Sequence, residues 1–158
     1  MPLPIINPLI DKLSAPPIPA VQAWAREYDG AHGPLIDLSQ AVPGYPPHPD
    51  MLRFLGEAAS SVAYAGYGPI EGETVLREAY ARHVGNLYGA EIKAGNIHIT
   101  SGCNQAFIAA IMCVAQSGDT VLATDPFYFN HQSSLEMLGI RSETMLCRAE
   151  NGFVPDIE

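Results

Sequence analysis

The fold is decided by residues 96–132, which read NIHITSGCNQAFIAAIMCVAQSGDTVLATDPFYFNHQ. Here and just beyond, short runs rich in Ile, Val and Thr alternate with longer apolar segments. The pattern predicts strands at 96–100, 120–124 and 140–146, and helices at 103–115 and 129–138. Strands that alternate with helices in this way are typical of a parallel sheet covered by helices. The predicted fold class is therefore α/β.

The predicted helix at 103–115 has almost no polar face. Its apolar side chains are those of Phe107, Ile108, Ile111, Met112 and Val114. A helix that is apolar on every side is normally buried within a domain. We therefore expect this helix to lie inside the molecule.

Outward from this stretch, composition divides the chain into three segments. Residues 1–19 are rich in proline, which fixes φ and lacks an N–H group, so they predict an extended arm. Residues 20–48 combine a short helix with a turn-rich loop that contains four prolines and Gly44. Residues 49–158 carry the α/β pattern and form the main part of the chain.

The elements before residue 96 are predicted from periodicity and breakers. Residues 20–29 and 49–62 read as helices, and residues 35–39 are a strand candidate. Residues 73–88 form the clearest amphipathic helix, and Gly89 stands where a helix-ending glycine belongs. The loop before that helix is rich in glycine, but its G-x-G-x-x-x-G spacing does not match a dinucleotide-binding fingerprint.

Composition excludes several classes of partner. The formal net charge is −9, which argues against nucleic acid or an anionic membrane surface as the main partner. Cys103, Cys113 and Cys147 show neither a CxxC pair nor metal-ligand spacing, so we expect no metal and reduced thiols in a cytoplasmic setting. Prolines interrupt the apolar N-terminus, which predicts neither a signal peptide nor a membrane span.

A candidate anion site lies at residues 99–106, which read ITSGCNQA. A strand that runs through Ser101-Gly102 directly into a helix leaves the first helical N–H groups facing its end. Gly102 allows the backbone to approach a ligand closely because it has no Cβ. The alternative is that Ser101 merely caps the helix. A second alternative makes Cys103 a nucleophilic thiol at the helix start, although the sequence shows no positioned base beyond His98 and His131, either of which could approach it. The histidines show no metal-ligand spacing and otherwise read as surface or capping residues.

A second candidate feature is the aromatic run DPFYFNH at residues 125–131. It follows the carboxyl end of a predicted strand, where ligands bind in open α/β sheets. An aromatic ring at this position can lie flat on a planar ligand. Together, the two loops favour a flat, phosphorylated heterocycle as the ligand. The alternative is that Phe127, Tyr128 and Phe129 are core aromatics.

Three segments resemble, in order, motifs of the class I/II aminotransferases that depend on pyridoxal 5′-phosphate (PLP). They are YGPIEG at 67–72 followed by LREA at 76–79, ITSGCNQA at 99–106, and GDTV at 118–121 followed by DPFY at 125–128. The resemblance covers about residues 35–145 and implies fold type I. In that fold, residues 1–19 would be an N-terminal arm and residues 20–48 a small-domain and substrate-loop segment. Residues 49–158 would be the first part of a three-layer α/β/α large domain that binds PLP.

The resemblance also implies roles for individual residues. Ser101, Gly102 and Cys103 would bind the PLP phosphate, mainly through backbone N–H groups, and Tyr128 would stack on the pyridine ring. Tyr67 would reach the phosphate in the partner subunit of a homodimer. Ala41 and Val42 would lie beside the substrate carboxylate, although the family often has glycine in this loop. Cys103 stands where a hydroxyl residue is common.

One expected feature has no counterpart in this sequence. The family's lysine that forms a Schiff base with PLP lies later in the chain, and the only lysines here are Lys12 and Lys93. We therefore expect the 158 residues to be part of a longer enzyme and inactive alone. The predicted reaction transfers an amino group between an amino acid and a 2-oxo acid. The alternatives are a PLP lyase of the same fold and a non-catalytic module that binds a phosphorylated ligand.

Overall fold

A computed structural model describes residues 5–155 of the chain. Its helices and strands, in chain order, are α1 (Pro8–Asp11), α2 (Ile18–Glu27), α3 (Pro49–Ala59), α4 (Thr74–Tyr88), α5 (Cys103–Val114), β1 (Thr120–Asp125), α6 (Phe129–Met137) and β2 (Arg141–Leu146). Short 3₁₀ helices cover Val62–Tyr64, Ala94–Asn96 and Ala149–Asn151. The chain forms two compact units, one made of Ala41–Thr100 and the other of the described residues on either side.

The unit made of the residues on either side of Ala41–Thr100 contains a parallel sheet, which confirms the predicted α/β pattern. β1 and β2 pair in parallel, in register from Thr120 opposite Arg141 to Asp125 opposite Leu146. Helix α6 makes the crossover and packs on β2. Leu135 of α6 is 1% exposed, so the core of this unit lies between α6 and the sheet. This local strand–helix–strand unit is the part of the fold that the sequence pattern predicts most directly.

Helix α5 begins at Cys103 as predicted, but it is not buried. It packs on α6, whereas Met112 is 65% exposed and Val114 is 81% exposed on other faces. The prediction of an internal helix is therefore wrong for this chain. Apolar composition indicates what a helix prefers to contact, and it does not reveal whether the contacting elements are present.

The predicted strands at 96–100 and 35–39 are absent from the described sheet, which contains β1 and β2. Ile97 has extended backbone angles, but a strand also needs a neighbour for its ladder of hydrogen bonds. Ile99 donates its N–H to the carbonyl of Glu71 instead. In the predicted strand at 35–39, the Asp37 carboxylate accepts hydrogen bonds from both the N–H and the hydroxyl of Ser39. Such local side-chain bonds compete with strand pairing.

The N-terminal segment is less extended than predicted. Pro8 starts α1, where a missing N–H costs nothing, and the Asn7 side chain caps the helix by accepting from Leu9 N–H. This short helix contacts α6. Residues 1–4 of the predicted arm lie outside the described residues. The next helix, α2, spans Ile18–Glu27 and not the predicted residues 20–29.

The unit formed by Ala41–Thr100 contains α3 and α4. The predicted helix at 49–62 ends at Ala59 and is followed by a 3₁₀ turn. Helix α4 ends as predicted, because Gly89 adopts the left-handed conformation with φ of 63°. Arg77 on α4 ties this helix to the 3₁₀ helix Ala94–Asn96 through the carbonyl of Ala94. Within residues 5–155, none of the helices is both long and apolar enough to cross a membrane.

Candidate active site

The backbone at the start of α5 has the shape expected of an anion cradle. Gly102 is the N-cap, with φ of 83° and ψ of 174°, a combination that side chains strongly disfavour. Apart from its two chain neighbours, no residue has an atom within 4 Å of the position that a Cβ would take there, so there is room for a ligand to approach the cap. The cap is therefore Gly102 and not Ser101.

The first turn of α5 presents donors at this open cap. A helical N–H donates to the carbonyl four residues earlier. For Cys103, Asn104 and Gln105 that carbonyl lies before the helix, so their N–H groups have no partner within it. The first backbone bond across the cap runs from Ala106 N–H to Gly102 C=O. The Gln105 side chain turns back and accepts a hydrogen bond from Ser101 N–H. Positive helix-end potential and converging N–H groups together suit a phosphate.

The aromatic loop after β1 forms the wall of an open cleft. Tyr128 is the N-cap residue of α6 and is 44% exposed. The cleft has a volume of about 610 Å³, and its lining includes Phe107, Thr124, Tyr128 and His131. The Tyr128 ring is therefore available to a ligand and is not a core aromatic.

Ring contacts hold Tyr128 in place. The imidazole of His131 meets it edge-on, with centroids 5.4 Å apart and planes at 82°. Phe129 meets it at 5.1 Å and 65°. The side-chain amide of Asn130 donates a hydrogen bond of 2.6 Å to the Tyr128 hydroxyl.

A third contact connects this ring to α5. His131 stacks on Phe107, with centroids 4.0 Å apart and planes at 15°. Phe107 lies four residues after Cys103, so the two share one face of α5. The helix that opens at Gly102 and the helix that opens at Tyr128 therefore pack against each other near their N-terminal ends.

Sequence reasoning missed two residues of this arrangement. Phe107 was expected to be one of several core side chains of a buried helix. His131 was expected to be a surface or capping residue or a side chain that could approach Cys103, and not a partner of two aromatic rings. The four-residue spacing from Cys103 to Phe107 could have identified Phe107 as a neighbour of the helix start. The pairing of Phe107 with His131 depends on how two helices pack, which local sequence does not encode.

The other predicted site residues belong to the unit formed by Ala41–Thr100. Tyr67 is fully exposed, with a relative exposure of 107%, and lies in the glycine-rich loop before α4. Ala41 and Val42 are exposed in the segment before α3. Their predicted roles stay predictions.

Lys12 and Lys93, the two lysines of the chain, lie in surroundings that do not include Tyr128. Lys12 lines a cleft with Gly139 and Arg141 at the amino-terminal start of β2. Tyr128 follows the opposite, carboxyl-terminal end of β1. Lys93 forms an exposed ion pair of 3.0 Å with Glu91.

Comparison with known proteins decides the family. Residues 28–158 match the family model "Aminotransferase class I and II". The chain belongs to this family. The resemblance seen in the three motifs is thereby confirmed.

Two curated aminotransferases illustrate the relationship. Transaminase BacF of Bacillus subtilis is 31% identical over 133 residues, which are 84% of this chain and 33% of BacF. Methionine aminotransferase of Escherichia coli is 30% identical over 142 residues, 84% of this chain and 34% of that protein. The chain thus spans about a third of the length of these relatives.

Solved aminotransferase structures share the fold. Apo-BacF superposes with a TM-score of 0.83 at 26% identity, covering 98% of this chain and 40% of that one. Alanine aminotransferase from Pyrococcus furiosus gives a TM-score of 0.84 at 20% identity, covering 97% of this chain and 39% of that one. The chain therefore has part of the α/β fold of fold type I aminotransferases, with a small parallel sheet.

Proposed function

We propose that this chain is the PLP-binding part of an enzyme that transfers an amino group between an amino acid and a 2-oxo acid. The observation that carries the proposal is the packing of the open helix start at Gly102 beside the helix that begins at the exposed Tyr128 ring. Family membership supports amino-group transfer, and the transaminase names of the relatives favour it over a lyase reaction.

The residues present fit the phosphate and the ring of PLP. Ser101, Gly102 and Cys103 would bind the phosphate mainly through backbone N–H groups, each charge-assisted bond contributing about 1.5–3 kcal/mol. The Ser101 N–H donates to the Gln105 side chain, so it would exchange that bond for one to the phosphate. The open space at Gly102 supports this role, because a Cβ there would restrict the approach. Tyr128 would lie on the pyridine face and contribute about 0.5–1.5 kcal/mol beyond its burial. When bound, PLP supplies an electron sink for carbanion chemistry.

The covalent and proton-transfer steps need an amine that this chain does not place near the ring. Lys12 lies beside the start of β2, at the opposite end of the strands from Tyr128. Lys93 is paired with Glu91 and belongs to the other unit. We therefore expect the 158-residue chain to bind PLP reversibly and to show no transaminase activity.

Residues outside the phosphate and ring contacts have proposed roles in the dimer and at the substrate. The full exposure of Tyr67 suits a residue that serves the partner subunit of a homodimer. Ala41 and Val42 would lie beside the substrate carboxylate. The free thiols of Cys103, Cys113 and Cys147 are compatible with the predicted cytoplasmic location.

Titration of the chain with PLP and with pyridoxal tests the proposal. We expect PLP to bind about tenfold or more tightly, since only PLP offers a phosphate to the helix start. Tyr128→Ala should weaken PLP binding about two- to tenfold. Tyr88→Ala, which removes an exposed tyrosine at the end of α4, should leave it unchanged.

Two results would overturn the proposal. One is equal affinity for PLP and pyridoxal, which would show that the phosphate contributes nothing to binding. The other is an equal loss of affinity in Tyr128→Ala and Tyr88→Ala, which would show that Tyr128 makes no specific contact with the PLP ring. A mixture of PLP, amino acids and 2-oxo acids should show no amino transfer with this chain alone.

A further inference from the structure

A pair of side chains outside the predicted site links its two halves. Phe107 and His131 stack face to face across the α5–α6 contact, at 4.0 Å and 15°. The same imidazole meets the Tyr128 ring edge-on at 5.4 Å. His131 therefore lies parallel to one aromatic ring and nearly perpendicular to another.

The contacts of Tyr128 differ in what they fix. Phe129 and Asn130 follow it directly on α6 and restrain it only relative to its own helix. His131 also lies on α6, but its stacking partner Phe107 lies on α5. Of these contacts, the one through His131 alone connects the ring to the helix that starts at Gly102.

The position of Phe107 on α5 makes this connection relevant to the helix start. One helical turn separates Phe107 from Cys103, whose N–H belongs to the first turn of α5. A rigid helix transmits the position of Phe107 to that turn. The Tyr128 ring is thereby held relative to the donors at the helix start, although it is half-exposed on the side that faces the cleft.

We propose that the Phe107–His131 stack is a brace that sets the distance between the Tyr128 ring and the phosphate donors of α5. The inference rests on the proposed function, because PLP carries its ring and its phosphate at a nearly fixed separation. A site that already holds both contacts at that separation loses less conformational freedom on binding. His131 is thus a positioning residue that acts through Tyr128.

The ligand-free chain provides the first readout. In the wild type, the Tyr128 ring protons should show ring-current shifts in the NMR spectrum from the neighbouring imidazole, in addition to those from the Phe129 ring. His131→Ala should move these signals toward the positions of a freely rotating tyrosine, and His131→Phe should largely retain the shifts. His83→Ala, an exposed histidine on α4, is the matched control and should change nothing.

The second readout is the dissociation constant for PLP. His131→Ala should weaken binding about three- to tenfold, and His131→Phe should return it to within about twofold of wild type. In a Tyr128→Ala background, His131→Ala should have no further effect. Far-UV circular dichroism of each variant checks that the chain remains folded.

The outcomes separate the inference from the function on which it rests. Equal weakening by His131→Ala with and without Tyr128, or unchanged Tyr128 signals, would overturn the brace while PLP binding by the wild type still supported the function. A wild-type chain that does not bind PLP would overturn both.

Discussion

The imidazole ring of His131 lies parallel to the phenyl ring of Phe107, with the ring centroids 4.0 Å apart and the planes inclined by 15°. This stack joins α5 and α6 close to their N-terminal ends. α5 opens at Gly102 and α6 opens at Tyr128, so the stack lies one helical turn from the first backbone donors of α5 and against the exposed ring that begins α6. A phosphorylated heterocycle is the kind of ligand that uses both.

Gly102 should tolerate no side chain without a cost in stability. Its φ of 83° and ψ of 174° fall in a region that only glycine occupies readily. We expect Gly102→Ala to lower the free energy of unfolding by about 1–3 kcal/mol, owing to backbone strain. Urea denaturation followed by circular dichroism measures this change.

Gly56→Ala is the matched control for this substitution. Gly56 lies inside α3, and outside the backbone of that helix no atom lies within 4 Å of the position that a Cβ would take. Alanine should therefore raise the free energy of unfolding by about 0.5–1 kcal/mol through helix propensity. Equal effects of the two substitutions would show that the conformation of Gly102 carries no strain for alanine.

Asp37 should show a depressed pKa that depends on Ser39. The Ser39 hydroxyl and N–H both donate to one oxygen of the Asp37 carboxylate, at 2.6 and 2.8 Å, and lower its pKa below the ordinary value. Because the folded-state pKa is the lower one, the stabilisation is present above the unfolded pKa and is lost as the pH falls through the folded pKa. An NMR titration of the carboxyl carbon in Ser39→Ala should show the pKa moving up.

Ser60→Ala is the control for the Asp37 titration. The Ser60 hydroxyl donates to the backbone carbonyl of Glu57 and not to a carboxylate. The Asp37 pKa should therefore be the same in this variant as in the wild type. A depressed pKa that survives Ser39→Ala would contradict the assigned cause.

Local signals in the sequence predicted much of the fold because they act over a few residues. Gly89 ends α4 in the left-handed conformation, as its position indicated. Gly118 and Gly139 have positive φ just before β1 and just after α6, where glycine commonly separates a helix from a strand. The β1–α6–β2 unit needs only one short crossover, so its parallel pairing followed directly from the pattern.

Long-range features escaped prediction for a physical reason. The apolar residues at 96–100 have strand-like composition, but they form no ladder with the described strands, and a strand exists only with a partner. The apolar surface of α5 similarly has few covering elements within residues 5–155. The contact between Phe107 and His131 depends on helix packing and on side-chain rotamers, which local composition does not specify.

Arg77 should be poorly replaced by lysine. Its guanidinium donates from Nε to the Gly72 carbonyl and from Nη1 to the Ala94 carbonyl, both at 3.1 Å. A lysine ammonium lacks this planar fork and would satisfy at most one carbonyl in the same geometry. We expect Arg77→Lys to lower the free energy of unfolding by about 1–3 kcal/mol in urea denaturation.

Arg82→Lys is the matched control, because Arg82 lies exposed on the same helix. It should change the free energy of unfolding by less than about 0.5 kcal/mol. If Arg77→Lys were equally harmless, the two carbonyl contacts would contribute nothing that a lysine cannot supply.

Position 72 should accept only glycine, because both its backbone conformation and the space around it disfavour a side chain. Its φ is 97°, and a Cβ at this position would lie 2.5 Å from Ile99 Cγ1 and 2.6 Å from Ile99 Cβ. Gly72→Ala should therefore lower the free energy of unfolding by about 2–5 kcal/mol, which combines left-handed strain of about 1–2 kcal/mol with overpacking of about 1–3 kcal/mol.

A double substitution separates these two causes at Gly72. Ile99→Ala removes Cγ1 but keeps Cβ, so it should relieve part of the clash and none of the backbone strain. The combined Gly72→Ala and Ile99→Ala variant should then be more stable than the sum of the single effects predicts, by about 0.5–3 kcal/mol of coupling. Gly95→Ala serves as the control, because the position that a Cβ would take there has no atom of a non-neighbouring residue within 4 Å. Strict additivity would mean that steric contact with Ile99 does not determine why glycine stands at position 72.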